Sequence, residues 1–189
     1  MFALGMIGVF TVGTGDSGES TAELVAYAED KEAVLTAQLL FALVSLGLVG
    51  WFVSGLHARV RRMGSQTAPP LVLIGGVTFA LLFFLAIAMW SAPLLEFGTT
   101  VGSAETRAAA YYLIEDIGWF TLGGAGVGAA VMAVVASLAA LRSGIVPAWL
   151  GWIGVVVGGL SVATVAWFGI FAWMLWFLVS SILMLAKRA

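Results

Sequence analysis

Cysteine is absent from this 189-residue chain and histidine occurs once, as His57. No disulfide, thiolate metal site or cysteine nucleophile can therefore be built, and a lone imidazole supplies neither a bis-histidine haem site nor a zinc cluster. Charge is scarce too. Asp, Glu, Lys and Arg make up 10% of residues against 62% apolar ones, and the mean hydropathy is +1.10. One soluble core could not hide so much apolar surface, whereas a bilayer with a hydrocarbon thickness of about 30 Å accepts runs of roughly 20 apolar residues each. The composition is that of an integral membrane protein whose principal partner is the lipid bilayer; a net charge of −2 says nothing until it is divided by side, and no nucleic acid partner is expected. HExxH and GxSxG patterns are missing, and no ionisable residue falls in the middle of an apolar run, which counts against a proton-coupled pump.

What is present is a series of apolar runs, and their lengths predict an all-α, polytopic transmembrane helical bundle. Clear spans cover residues 33–56, 71–91 and 117–141. From Pro147 onward the chain stays apolar for about 58 Å of helix, nearly twice the hydrocarbon thickness, so it must fold back. Gly169 within "WFGIF" marks the expected turn and gives spans at 148–167 and 170–186. Residues 1–14 form a short first span without the basic region or cleavage site of a signal peptide. The total is six spans in one transmembrane domain covering 1–189.

Charge sorts cleanly under this count. With both termini in the cytoplasm, Arg59, Arg61, Arg62, Arg142, Lys187 and Arg188 lie inside, while every acid lies outside with Lys31 and Arg107. Trp51, Trp149 and Trp152 then mark the inner interface, and Trp90, Trp119 and Trp167 the outer one. His57 reads as a solvated interfacial histidine at the inner end of its span.

Two outer segments are predicted to be helical extensions, over 21–32 and 103–116, each opened by a serine cap, Ser20 or Ser103. Both carry an Ala-Glu pair, tyrosine and an adjacent Glu-Asp pair, Glu29-Asp30 and Glu115-Asp116. Each then leads through an apolar span to a short basic loop with proline. This likeness suggests an internal two-helix parallel repeat. Asp30 to Leu56 and Asp116 to Leu141 each measure about 37 to 39 Å along a helix, so both pairs fall at the outer headgroup level. Acids favour the positive end and wet region of a helix, which accounts for each pair on structural grounds alone; the functional alternative is that the four carboxylates share an acidic mouth, a ligand site suited to a divalent cation.

Helical spacing separates the members of one pair. Asp116 shares a face with Phe120, Gly124 and Gly128, and Gly124-x-x-x-Gly128 is a small-residue contact seam, so Asp116 is expected to look inward. Glu115 shares its face with Trp119 and Leu122 and is expected to look towards lipid or water. Gln38, an amide in the outer third of its span, is the candidate to hydrogen-bond another helix or a ligand. It shares a depth of about 26 to 27 Å with Gly124, and their two helices are expected to touch there. Gly154 and Gly158, with Gly151, line one side of a later span and read as packing. The run "GAGVGA" at 124–129 spells a dinucleotide-binding fingerprint, but no strand precedes it, so it too reads as helix packing and no cofactor is expected.

The stretches "LRSGIVPAWLGWIGVV" (141–156), "STAELVAYAEDKEA" (20–33) and "LHARVRR" (56–62) resemble a family of uncharacterised multispan membrane proteins of high-GC Gram-positive bacteria, over roughly residues 20–188. The first span is shorter here than in those proteins. The resemblance implies a multispan fold and a plasma-membrane address, and carries over no activity and no site residue.

Three functional classes follow. A non-catalytic membrane component, packing with itself or with a membrane protein partner, fits the glycine seams and the lack of reactive groups. A small-molecule or ion transporter or channel fits the repeat and the acidic mouth. An enzyme would have only the outer carboxylates to work with.

Overall fold

The computed structural model describes residues 21–95, 103–166 and 168–186. Among the described residues the chain is helical: α1 (Thr21–Arg62), α2 (Ala68–Leu95), α3 (Ala104–Arg142), α4 (Ala148–Leu160), a 3₁₀ segment (Ser161–Ala166) and α5 (Phe168–Ala186). α1, α2 and α3 are long and apolar enough to cross a membrane, and α4 and α5 are shorter apolar helices. The expected first span, 1–14, lies outside the described residues. At 1.5 Å per residue α1 and α3 run for about 63 and 58 Å, well beyond a 30 Å hydrocarbon layer.

Local chemistry sets where these helices stop. α1 and α3 both end in Arg-x-Gly, with Gly64 at φ 81° and Gly144 at φ 65°. That left-handed backbone costs a glycine nothing and turns the chain out of the helix. The Gly64 amide donates to the Arg61 carbonyl at 3.3 Å and the Gly144 amide to the Leu141 carbonyl at 3.2 Å. Ser65 Oγ then accepts the Ala68 amide at 3.1 Å to start α2, where Pro69 and Pro70 occupy first-turn positions that need no N–H. Ser103 does the same for α3, accepting the Thr106 amide at 3.2 Å.

The chain divides into two compact units, one made of Met1–Leu46 with Phe83–Thr121, the other of Gly47–Leu82 with Leu122–Ala189. In the second unit, glycine brings backbones together. A Cβ placed on Gly128 would lie 2.6 Å from the Phe79 amide nitrogen and 2.8 Å from the Gly75 carbonyl oxygen. One on Gly75 would lie 2.8 Å from the Gly128 carbonyl oxygen. α2 and α3 therefore touch backbone to backbone at Gly75 and Gly128, the close approach that membrane helices use in place of a hydrophobic driving force. α4 meets α3 in the same way, with a Gly158 Cβ falling 2.9 Å from that of Ala133, and Gly154 sits 3.1 Å from the Ser137 Cβ by the same construction. Aromatic rings fill the rest: Phe79 packs on Trp173 and Phe177 at centroid distances of 5.0 and 5.1 Å, and Phe52 lies 4.9 Å from Phe177.

The return between α4 and α5 falls earlier than Trp167–Phe171. α4 ends at Leu160, and the 3₁₀ segment bends at Ala163, with φ −77° and ψ 21°. The Thr164 hydroxyl donates to the Ser161 carbonyl, and both groups are buried beside Gly126 of α3. Gly169 is not the flexible point. It lies in the first turn of α5, where a side chain would run into the Thr164 backbone, so its role is close approach. Hydroxyl-to-carbonyl bonds tighten the segment, a signal weaker in sequence than a glycine.

Gly128→Ala should therefore destabilise the detergent-solubilised protein by about 1–3 kcal/mol, because backbone atoms cannot yield as side chains do. Gly50→Ala in α1, where a Cβ meets nothing within 4 Å, should leave stability unchanged or raise it by up to ~1 kcal/mol. Thermal melts of the two variants give the comparison, and equal melting temperatures would contradict the contact.

Candidate functional site

The carboxylates and amide singled out by sequence belong to the first unit, where α1, α2 and α3 supply the side chains. On α3, Ala108, Tyr111, Glu115 and Gly118 are all buried, and their spacing of three and four residues traces one inward seam. On α1 the buried positions Leu35, Ala42 and Ser45 follow the same rhythm, with the part-buried Gln38 in step between them. α2 contributes Phe83, Ile87, Trp90 and Ser91, buried on two adjacent faces.

Two consecutive residues of α2 tie the other helices. Ser91 Oγ donates to Gln38 Oε1 of α1 at 3.1 Å, and Trp90 Nε1 donates to the Glu115 carbonyl of α3 at 3.3 Å. Gly118 makes the second bond sterically feasible, since a Cβ there would lie 2.9 Å from Trp90 Cδ1. Trp119 stacks against the same indole at 4.5 Å between centroids. Trp90 is thus a buried crosslink, 6% exposed, and not the freely exposed member of an outer aromatic belt that its position suggests. Trp51, Trp149 and Trp152 are exposed by 75%, 65% and 57%.

The facing of the acidic pair is the reverse of the expected one. Glu115 is 8% exposed and Asp116 is exposed, as are its neighbour Ile117 and its face-mate Phe120. Leu122, expected on the lipid side, is 1% exposed. The physical reason lies in α3 between 122 and 133, which is covered on nearly every side, so Gly124 and Gly128 do not single out one buried stripe. The seam is set instead by Tyr111, Gly118 and Leu122, and Glu115 falls on it.

The remaining candidates separate. Gln38 bonds to Ser91 of α2 in the first unit, and Gly124 belongs to the second unit, where a Cβ placed on it would lie 2.9 Å from Leu82 Cδ1. Asp30 is exposed and ion-paired with its neighbour Lys31. The Glu29 side chain lies outside the described residues. Among the described residues no group of three or more His, Asp or Glu side chains gathers into a metal-ligand set. Gly128, Gly154 and Gly158 lie at helix contacts of the second unit. His57 is part-buried, and its Nδ1 lies 3.0 Å from the Pro69 carbonyl, so it ties the end of α1 to the first turn of α2.

No protein-family model, curated protein or solved structure matches the chain. What the first unit offers chemically is a carboxylate held on an apolar helix seam one turn beyond a buried tyrosine, with an amide–hydroxyl bond and an indole bond fixing the helices around it. Sequence reading missed Gly118, whose small size before Trp119 admits Trp90, and Ser91, an unremarked hydroxyl that closes the apolar run 71–91.

Glu115→Ala should cost about 1–3 kcal/mol of stability, because it hollows a packed seam and leaves the groups that meet the side chain unpartnered, while Asp116→Ala should stay within about 0.5 kcal/mol. Melting temperatures of both variants in one detergent test the facing. A larger loss at Asp116 would restore the opposite assignment.

Proposed function

We propose that the chain is a non-catalytic integral membrane protein of a bacterial plasma membrane, oriented with the arginine-bearing ends of its helices in the cytoplasm, that works through contact with a membrane protein partner. The observation that carries this reading is how polar side chains within the spans are used. Gln38 and Ser91 bond to each other, Trp90 bonds to the Glu115 backbone, Trp176 Nε1 donates to Ser137 Oγ at 3.4 Å, and Thr164 bonds to Ser161. These groups join helix to helix or hold a turn, which is what an assembly scaffold needs. The exposed carboxylates Asp30, Glu105 and Asp116, at the acid-bearing ends of α1 and α3, are the groups a partner would meet.

A second reading, a small-molecule or ion transporter or channel with an acidic mouth, is favoured by Glu115. Its carboxylate, buried between helices at the outer headgroup level, stands where an ion entering from that side would meet it. One pair of measurements separates the two. Gentle-detergent purification should bring down a stoichiometric membrane protein partner whose recovery falls several-fold in an Asp30→Asn, Asp116→Asn double variant, while proteoliposomes holding the purified chain should pass ions no faster than protein-free vesicles. Ion flux abolished by Glu115→Gln, with no partner recovered, would overturn the scaffold in favour of the transporter.

A further inference from the structure

The second unit contains a half-open cavity of about 330 Å³ framed by α1, α3, α4 and α5. Its size falls within the ~300–1,000 Å³ typical of small-molecule sites. Leu56, Val60, Ala140, Ile153, Leu175 and Val179 stand for a wall that is almost wholly apolar. One charged side chain, Arg59, also lines it. Along α1 the lining runs from Leu56 to Met63 and along α5 from Leu175 to Leu183, so the slot is about 10–12 Å long. Ile145, Val146 and Trp149 belong to the same rim, which places one end of the slot beside the loops where α1 and α3 terminate.

That end is basic. Arg61 and Arg62 close α1 beside Arg59, and Arg142 closes α3, while no acid occurs in 33–95 or 117–189. Water gains little in a slot with so few hydrogen-bonding groups, and hydrocarbon fits it. A ligand matched to both features has an acyl chain for the slot and an anion for the guanidinium, which an arginine can bind through a fork of two N–H donors.

We propose that this cavity holds one acyl chain of an anionic phospholipid, with its phosphate at Arg59. The inference rests on the reading that the chain lies in a bilayer, and that reading fails separately if the protein is recovered in the aqueous phase without detergent. The lipid belongs to the leaflet on the arginine side, where juxtamembrane cations gather anionic headgroups. Charge complementarity decides the class of lipid, and slot length limits how much of one chain is enclosed.

Native mass spectrometry of the full chain in detergent, titrated with phosphatidylglycerol or with phosphatidylcholine of the same acyl chains, tests it. One phosphatidylglycerol should be retained at least tenfold more strongly than one phosphatidylcholine. Arg59→Gln should remove that preference, whereas Arg61→Gln, an exposed arginine at the same helix end that does not line the cavity, should keep it. Ala140→Phe, which fills the slot, should weaken both lipids. Equal retention of the two lipids by the unaltered chain would overturn the proposal, as would equal losses from Arg59→Gln and Arg61→Gln, or a dimer mass replacing the lipid adduct. The lipid comparison on the unaltered chain decides the question even if Ala140→Phe does not fold.

Discussion

Gly75 and Gly128 let the backbones of α2 and α3 meet, and much of the second unit is arranged around that contact. In hydrocarbon, apolar side chains gain nothing by leaving the solvent, so two helices stay together only through close packing and the few polar bonds available. With the α2 and α3 backbones in contact, Phe79 of α2 comes to lie against Trp173 and Phe177 of α5, and Gly76 receives Val53 of α1. α4 repeats the device with Gly151, Gly154 and Gly158 against α3. Large rings and absent side chains are therefore complementary parts of one packing scheme.

The first unit relies on the other resource. There the helices are joined by the Gln38–Ser91 bond and by the Trp90 indole on the Glu115 carbonyl, made from adjacent residues of α2 that point to different neighbours. Gly118 belongs to both schemes, since its missing side chain is what lets an indole bond form. A carboxylate on such a seam is costly to desolvate, which is why Glu115 draws more functional interest than the exposed Asp30 and Asp116.

The membrane class and the three long helices were legible in the sequence because they depend on bulk apolarity, which needs no knowledge of neighbours. Gln38 was legible as a hydrogen-bonding residue because an amide in an apolar run has few alternatives. The facing of α3 was not. The rule that Gly-x-x-x-Gly marks the contact stripe works for a helix with one partner, and α3 between 122 and 133 is covered nearly all round. The spacing of Tyr111, Glu115, Gly118 and Leu122 carried the needed signal. Nor was the turn at Ser161–Ala166 legible, because it is built from a serine and a threonine bonding to nearby carbonyls, while the conspicuous Gly169 serves packing.

The central proposal is that α1, α2 and α3 cross a bilayer with the α1–α2 loop and the arginine-bearing ends of α1 and α3 on the cytoplasmic side. Because the chain has no cysteine, single cysteines report without background. Gln66→Cys lies in the exposed loop between α1 and α2, and Ser103→Cys in the exposed residue before α3. In intact cells an impermeant thiol reagent should label the Ser103 position and reach the Gln66 position only after lysis. Labelling of both positions, or of Gln66 alone, in unbroken cells would contradict it.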